Sequence, residues 1–163
     1  MVTRYGNVMG SRGSVIPYWQ RLAKEGKPLP VTHPKMTRFL MTLDDSIELV
    51  WYAMQLGKPG EIFVKQAPSC TMATLAKAIS DDTVETGVRH GEKMHETLVS
   101  SEEMLRAVDE DGFYRIPPDV RDLNYDNFFT KGQNADYKLP YSSNTTRQLT
   151  PAKVKEMICR LSN

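Results

Sequence analysis

The strongest constraint on the fold lies between Leu43 and Val64. Leu43, Ile47, Val50, Trp51 and Met54 recur at helical spacing, so this stretch reads as an amphipathic helix. Asp44, Asp45 and Glu48 sit toward its start, where the helix dipole favours negative charge. Gly57, Pro59 and Gly60 end it, and residues 61–64 then read as a strand. Residues 1–8 read as an earlier strand leading into the loop Met9-Gly10-Ser11-Arg12-Gly13. Strand, helix and strand in that order place the chain in the α/β class. Its parallel sheet cannot be complete with so few strands, so the expectation is half of a larger architecture.

Shorter signals fill in the rest. Ser14 is placed to cap a helix starting at Val15, with Pro17 in the tolerant first turn and Gly26 as a stop. Ile16, Trp19, Leu22 and Ala23 put apolar surface on one side of that helix. Residues 29–32 are extended, held by Pro28 and Pro30. A third helix starts after Ser69 or Thr71 and runs to about Ile79; residues 83–88 form at best a short strand. Ser100-Ser101-Glu102-Glu103 resembles a capping start for a helix through Val108, and residues 113–116 read as a strand. Met54, Met94 and Met104 read as core filler.

From Pro117 the texture changes, and the division expected is 1–116 and 117–163. Residues 121–132 are aromatic and polar, and 133–148 look like an extended arm rather than a packed layer. Thr150-Pro151 opens a last amphipathic helix with Val154, Met157, Ile158 and Leu161 on one face. An isolated helix of that length is marginal in water, so it must dock.

The net charge of +1 over 163 residues makes no case for nucleic acid or an anionic membrane as partner. No apolar run approaches the roughly 20 residues a membrane span requires. Nothing marks the chain for secretion, and Cys70 and Cys159 lack metal-like spacing, so reduced thiols in a cytoplasmic protein are expected.

The chemistry concentrates in Arg89-His90-Gly91-Glu92-Lys93. An arginine fork matches phosphate oxygens, a glutamate accepts from a sugar diol, and the glycine between them allows close backbone approach. The competing reading is a surface ion pair worth under about 1 kcal/mol. Arg38 offers a second phosphate fork. Asn7 could meet a ligand at the carboxyl end of a strand, or only stabilise a turn. His90 and His95 are five apart and fall on different helix faces, unlike a zinc-protease pair. Gly10 and Gly13 lack the spacing and lysine of a phosphate-binding P-loop. No Gly-x-Gly-x-x-Gly and no Tyr-x-x-x-Lys occurs, so the chain by itself cannot support hydride chemistry.

Taken together, five segments resemble the UDP-N-acetylglucosamine 4,6-dehydratases of the extended short-chain dehydrogenase/reductase superfamily. They are Arg4-Tyr5-Gly6-Asn7-Val8 with the loop to Pro17, Met36-Thr37-Arg38-Phe39 through Asp45, Gly60-Glu61-Ile62-Phe63-Val64, Arg89 through Glu96, and Arg121 through Asp126. The tail from Tyr141 to Thr150 resembles the C-terminal extension of the capsule and O-antigen members, inverting lyases that also epimerise C5. The resemblance implies a division of labour. The family's N-terminal Rossmann half holds NADP or NAD, oxidises the sugar at C4, eliminates water across C5 and C6, and returns hydride to C6. The C-terminal half grips the UDP-sugar, UDP-N-acetylglucosamine or a relative. By that similarity Asn7, Arg38 and Arg89 face the diphosphate and Glu92 takes the ribose hydroxyls. Ser14 and Val15, with Pro30, Val31 and Thr32, border the nucleotide and its uracil, and Tyr5, Gly6 and Val8 lie near the nicotinamide.

The family's N-terminal half is absent from this sequence, and with it the catalytic tyrosine, lysine and acid. Residues 79–87 also look shorter than the family's connection, and Met1 falls where the family has a strand interior. The expectation is a truncated or split polypeptide, inactive alone, that works as a homo-oligomer or with a complementary N-terminal half. The alternative is a non-catalytic assembly module that docks on a full-length subunit through residues 121–129 and the last helix.

Overall fold

The computed structural model describes residues 1–118 and 138–161. The chain begins with β1 (Val2–Arg4), α1 (Val15–Lys24), β2 (Leu29–Val31), β3 (Thr37–Phe39) and α2 (Leu43–Leu56). It continues through β4 (Ile62–Lys65), β5 (Ser69–Thr71), α3 (Met72–Lys77), β6 (Thr83–Glu85) and β7 (Thr97–Val99). The remaining elements are α4 (Ser101–Met104), β8 (Val108–Asp109), β9 (Phe113–Ile116), β10 (Tyr141–Ser142) and α5 (Pro151–Arg160). Hydroxyl residues start the helices. Thr42, Thr71, Ser100 and Thr150 each accept a hydrogen bond from a first-turn backbone N–H, satisfying a donor the helix leaves orphaned. Thr42 with Asp45, and Ser100 with Glu103, close full capping boxes.

The main sheet has the order β1-β4-β9-β8. β1 and β4 run parallel, with Val2 opposite Ile62 and Arg4 opposite Val64, and α2 lies between them in sequence. β9 pairs antiparallel with β4 and β8. Three two-stranded ribbons accompany this sheet: β2 with β6 in parallel, and β3 with β5 and β10 with β7 antiparallel. The fold is mixed α/β, with its parallel sheet incomplete among the described residues.

Apolar side chains gather in three clusters. The largest joins Trp19 and Ile16 of α1, Leu29 and Val31 of β2, Leu75 of α3, and Val154 and Ile158 of α5. So the last helix docks on this chain, against α3. A second surrounds Phe39, Met41, Val64, Val99, Ile116 and Tyr141, and a third sets Leu49 and Ala53 of α2 on Phe63 and Phe113. Among the described residues no helix is long and apolar enough to cross a membrane.

Three expectations need correction. The helix predicted through Val108 stops at Met104, because Val108 and Asp109 are drawn into pairing with Arg115 and Tyr114 of β9. Met54 and Met94 are not core filler: they stand 63% and 37% exposed. Residues 138–148, read as part of an unpacked arm, are tied into the body. The buried Tyr141 hydroxyl accepts from the Ala67 N–H at 2.7 Å and donates to the Ala67 carbonyl at 2.9 Å. Residues 133–137 of that arm and the aromatic segment 121–132 lie outside the described residues.

Candidate functional site

One cleft of ≈ 620 Å³ collects residues from the carboxyl end of β1, the start of α1, β2, β3 and the loop after β6. Asn7 reaches it because its segment adds to the edge beyond β3. Its carbonyl accepts from the Met41 N–H at 3.1 Å, while the Met9 N–H donates to the Met41 carbonyl at 2.8 Å. The Asn7 side-chain amide has no partner among the described residues. Gly6 stands where the chain passes Phe39: an added Cβ would fall 2.5 Å from the Phe39 Cβ, so only glycine fits.

α1 opens directly on the cleft. Ser14 has the extended backbone of a cap residue but its hydroxyl makes no capping bond, unlike the hydroxyls that start the other four helices. Its Oγ is buried without a partner. No acidic residue occupies the first turn of α1, so the positive end of its dipole remains uncompensated there. The cleft floor is apolar, with Ile16, Trp19, Leu40, Met72 and Leu75. Trp19 Nε1 donates to the Pro30 carbonyl at 3.2 Å, which fixes β2 against α1. Strand alternation then sorts β2: Leu29 and Val31 point into the core, while Pro30 and Thr32 line the cleft.

Charge enters from β3 and the loop after β6. Arg38 on β3 donates to the Thr37 carbonyl at 2.8 Å and lies 3.4 Å from Glu92 Oε1 and 3.7 Å from Glu96 Oε1. Both carboxylate distances are long for a charged hydrogen bond, so the guanidinium is held without being saturated. Glu92 Oε2 is buried and has no partner. Arg89 is exposed at the rim and has no carboxylate partner among the described residues. The surface ion pair of Arg89 with Glu92 is therefore not formed; these two are linked through the backbone, Glu92 N–H to Arg89 carbonyl at 3.0 Å. Gly91 between them has φ +80, a left-handed turn that glycine accepts without strain.

Of the residues expected at a nucleotide-sugar site, Asn7, Ser14, Val15, Pro30, Thr32, Arg38, Arg89 and Glu92 meet in this cleft. Val31 does not: it is buried at 4% exposure and borders a separate cleft of ≈ 270 Å³. Val8, expected near a cofactor, also lines the larger cleft, whereas Tyr5 is 46% exposed near the end of β1 and Gly6 packs on Phe39.

Sequence reasoning missed the scaffold beneath the charges. Ser143, fully buried, donates to the Thr37 carbonyl at 3.1 Å and accepts from the Glu96 N–H at 2.9 Å. Its Oγ lies 2.6 Å from Thr37 Oγ1, which shares a 2.8 Å hydrogen bond with His95 Nδ1. Thus the C-terminal segment braces both the strand that carries Arg38 and the loop that carries Glu92. A serine among serines gives no local signal of such a role.

Known proteins resemble this chain. UDP-glucose 4-epimerases of Rickettsia canadensis (strain McKiel) and Rickettsia typhi (strain ATCC VR-144 / Wilmington) are each 50% identical, over 99% and 98% of this chain and 49% of either protein. The chain spans about half the length of the curated relatives it matches. In structure, Pen from Bacillus thuringiensis is 30% identical with a TM-score of 0.79, covering 97% of this chain and 48% of that one. DesIV, a dTDP-glucose 4,6-dehydratase from Streptomyces venezuelae, is 20% identical with a TM-score of 0.52 over 56% of this chain and 32% of its own, and shares the fold. Residues 119–163 match the family described as polysaccharide biosynthesis protein C-terminal. Residues 1–118 match the polysaccharide biosynthesis protein family, and the chain belongs to that family.

Proposed function

We propose that this chain is the UDP-sugar-binding portion of a 4,6-dehydratase that acts on UDP-N-acetylglucosamine or a close relative in surface-polysaccharide synthesis. The observation that carries the reading is a cleft with two buried, unpartnered polar atoms, Ser14 Oγ and Glu92 Oε2, beside Asn7, Arg38 and Arg89. Native proteins leave few such atoms without a partner, so a polar ligand is the natural complement. The diphosphate lies at the amino end of α1, where dipole and free N–H groups favour an anion, and Arg89 and Arg38 supply its counter-charge. Glu92 keeps one oxygen on Arg38 and gives the other to the ribose diol. Uracil lies on the apolar floor between α1 and β2.

These residues bind and orient; binding energy gathered at the diphosphate positions a hexose whose reaction takes place beyond the nucleotide. A nicotinamide cofactor, NAD or NADP, would supply a reversible hydride acceptor for C4 of the sugar, the hydride ending on C6 in a 4,6-dehydratase. Tyr5 and Val8, at the carboxyl end of β1 and on the cleft wall, are the residues of this chain proposed to border it. A second reading, a 4-epimerase in which hydride returns to C4 itself, is favoured by the name of the Rickettsia relatives. Both readings need the same grip on UDP.

The test is ligand-dependent stability. UDP at 100 times its dissociation constant stabilises a native site by about 2.7 kcal/mol, which raises the melting temperature, and Arg89→Ala should weaken UDP binding about 10- to 100-fold. A chain that serves only as an assembly module shows no shift with UDP, and an unchanged affinity in Arg89→Ala removes the diphosphate assignment.

A further inference from the structure

Arg38 is held so that its phosphate-binding edge is only loosely used. Its Nη1 is committed to the main chain, donating to the Thr37 carbonyl at 2.8 Å and lying 3.4 Å from the Met94 carbonyl. The remaining fork, Nε and Nη2, faces two carboxylates. Glu96 Oε1 stands 3.7 Å from Nε, and Glu92 Oε1 stands 3.4 Å from Nη2. A charged N–H to carboxylate bond settles at about 2.7–2.9 Å, so neither contact is closed. Two parallel N–H groups of this kind are also what a phosphate takes bidentately. Glu92 and Glu96 thus occupy, at long range, the donors that a diphosphate uses.

The two carboxylates are not equivalent. Arg38 and Glu92 line the cleft, and Glu96 does not. Glu92 keeps a buried oxygen free for a ligand, whereas the Glu96 side chain is 38% exposed. What Glu96 gives the fold is its main chain, whose N–H donates to Ser143 Oγ at 2.9 Å. Among the described residues the charged side chains lining the cleft are Arg38, Arg89 and Glu92, which leave a single net positive charge. Glu96, set against Arg38 from outside, cancels it.

We infer that Glu96 is an affinity-limiting carboxylate: it shares Arg38 with the diphosphate of the ligand, so binding exchanges its hold on Nε for a phosphate oxygen and release reverses the exchange. The inference rests on the proposed reading of Arg38 as a diphosphate contact, and it adds a residue that touches no ligand yet sets how tightly one is held. A substrate and a product that carry the same nucleotide are gripped alike by diphosphate contacts, and uniform binding of that kind lowers KM without raising kcat. A carboxylate outside the cleft keeps Arg38 oriented while the site is empty and reduces that shared grip. The sign of the effect separates this role from a structural one. Removing a mere support for Arg38 costs affinity, whereas removing a competitor adds it.

The experiment titrates UDP, inorganic pyrophosphate and uridine by calorimetry into the full 163-residue chain and its Glu96→Gln and Glu96→Asp variants. Glu96→Gln should raise affinity for UDP and pyrophosphate by about 3- to 10-fold at low salt, the effect of one solvent-screened unit charge. The gain should vanish toward about 1 M salt, where the screening length falls to about 3 Å. Glu96→Asp keeps the charge and should show no gain, and uridine, which has no phosphate, should bind parent and variant alike. Glu96→Ala should follow Glu96→Gln, and matched melting temperatures show that the variants fold. Unchanged or weaker pyrophosphate and UDP binding in Glu96→Gln overturns the inference, as does a gain that extends to uridine or ignores salt. Failure of the UDP reading looks different: pyrophosphate then binds with the expected gain while UDP binds no better than pyrophosphate. Absence of anion binding in every one of these proteins overturns both.

Discussion

Ser143→Ala probes how the C-terminal segment holds the cleft, and its cost can be worked out group by group. Removing Oγ takes a partner from three groups. The Thr37 carbonyl keeps the Arg38 guanidinium at 2.8 Å, and Thr37 Oγ1 keeps His95 Nδ1 at 2.8 Å. The Glu96 N–H, 2.9 Å from the serine oxygen, has no substitute. One stranded donor costs about 1–3 kcal/mol, and because Glu96 is half-buried the lower part of that range applies, about 1–2 kcal/mol. In a chain of this size each kcal/mol shifts melting by about 2–4 °C, so a fall of about 2–8 °C is expected. Urea titration followed by far-UV circular dichroism measures the same loss at constant temperature. UDP affinity should fall as well, since Glu96 and Glu92 flank Arg38 from the loop that Ser143 braces. Thr37→Val should couple to Ser143→Ala rather than add to it, because both remove one shared network. A Ser143→Ala chain within about 0.5 kcal/mol of the parent, with UDP affinity intact, would refute the bracing role.

Three further outcomes follow from single sites. Gly6→Ala should destabilise by about 1–3 kcal/mol in urea, because its Cβ would sit 2.5 Å from that of the fully buried Phe39; a neutral result would mean β1 and β3 can separate freely. With a thiol reagent at pH 8, exposed Cys159 should react at once, whereas buried Cys70, its thiol pushed up to about 12 by desolvation, should wait for unfolding; two equal rates would contradict that burial. The Arg4 hydrogen bonds, aided by the Ser100 N–H, hold the Glu103 carboxyl below its ordinary range against the opposing effect of burial. That stabilisation is complete above the unfolded-state value and is lost as pH falls through the lower folded one. Stability of Glu103→Gln should therefore decline less than that of the parent between about pH 5 and 3, by under about 1 kcal/mol given the exposure of Arg4, and parallel curves would sink the assignment.

What could be read from the sequence, and what could not, divides along the range of the interactions. Helix starts were legible where Thr71, Ser100 and Thr150 satisfy N–H groups three residues away, within one local pattern. Ser14 carries the same local pattern, yet its hydroxyl makes no capping bond and is left unpaired on the cleft. The apolar period of residues 43–54 gave the helix correctly, but a period does not say which neighbour covers the stripe. Helix α4 was overestimated because local propensity was overruled by the pairing of Val108 with Arg115. The residues of the cleft were reached by resemblance and by side-chain chemistry, phosphate forks and a diol acceptor, without any view of their mutual placement. The bracing of Thr37 by Ser143 spans 106 positions and joins residue types that recur throughout the chain. No short window contains it, so it becomes visible only when the last ribbon packs beneath the loop that carries Glu92.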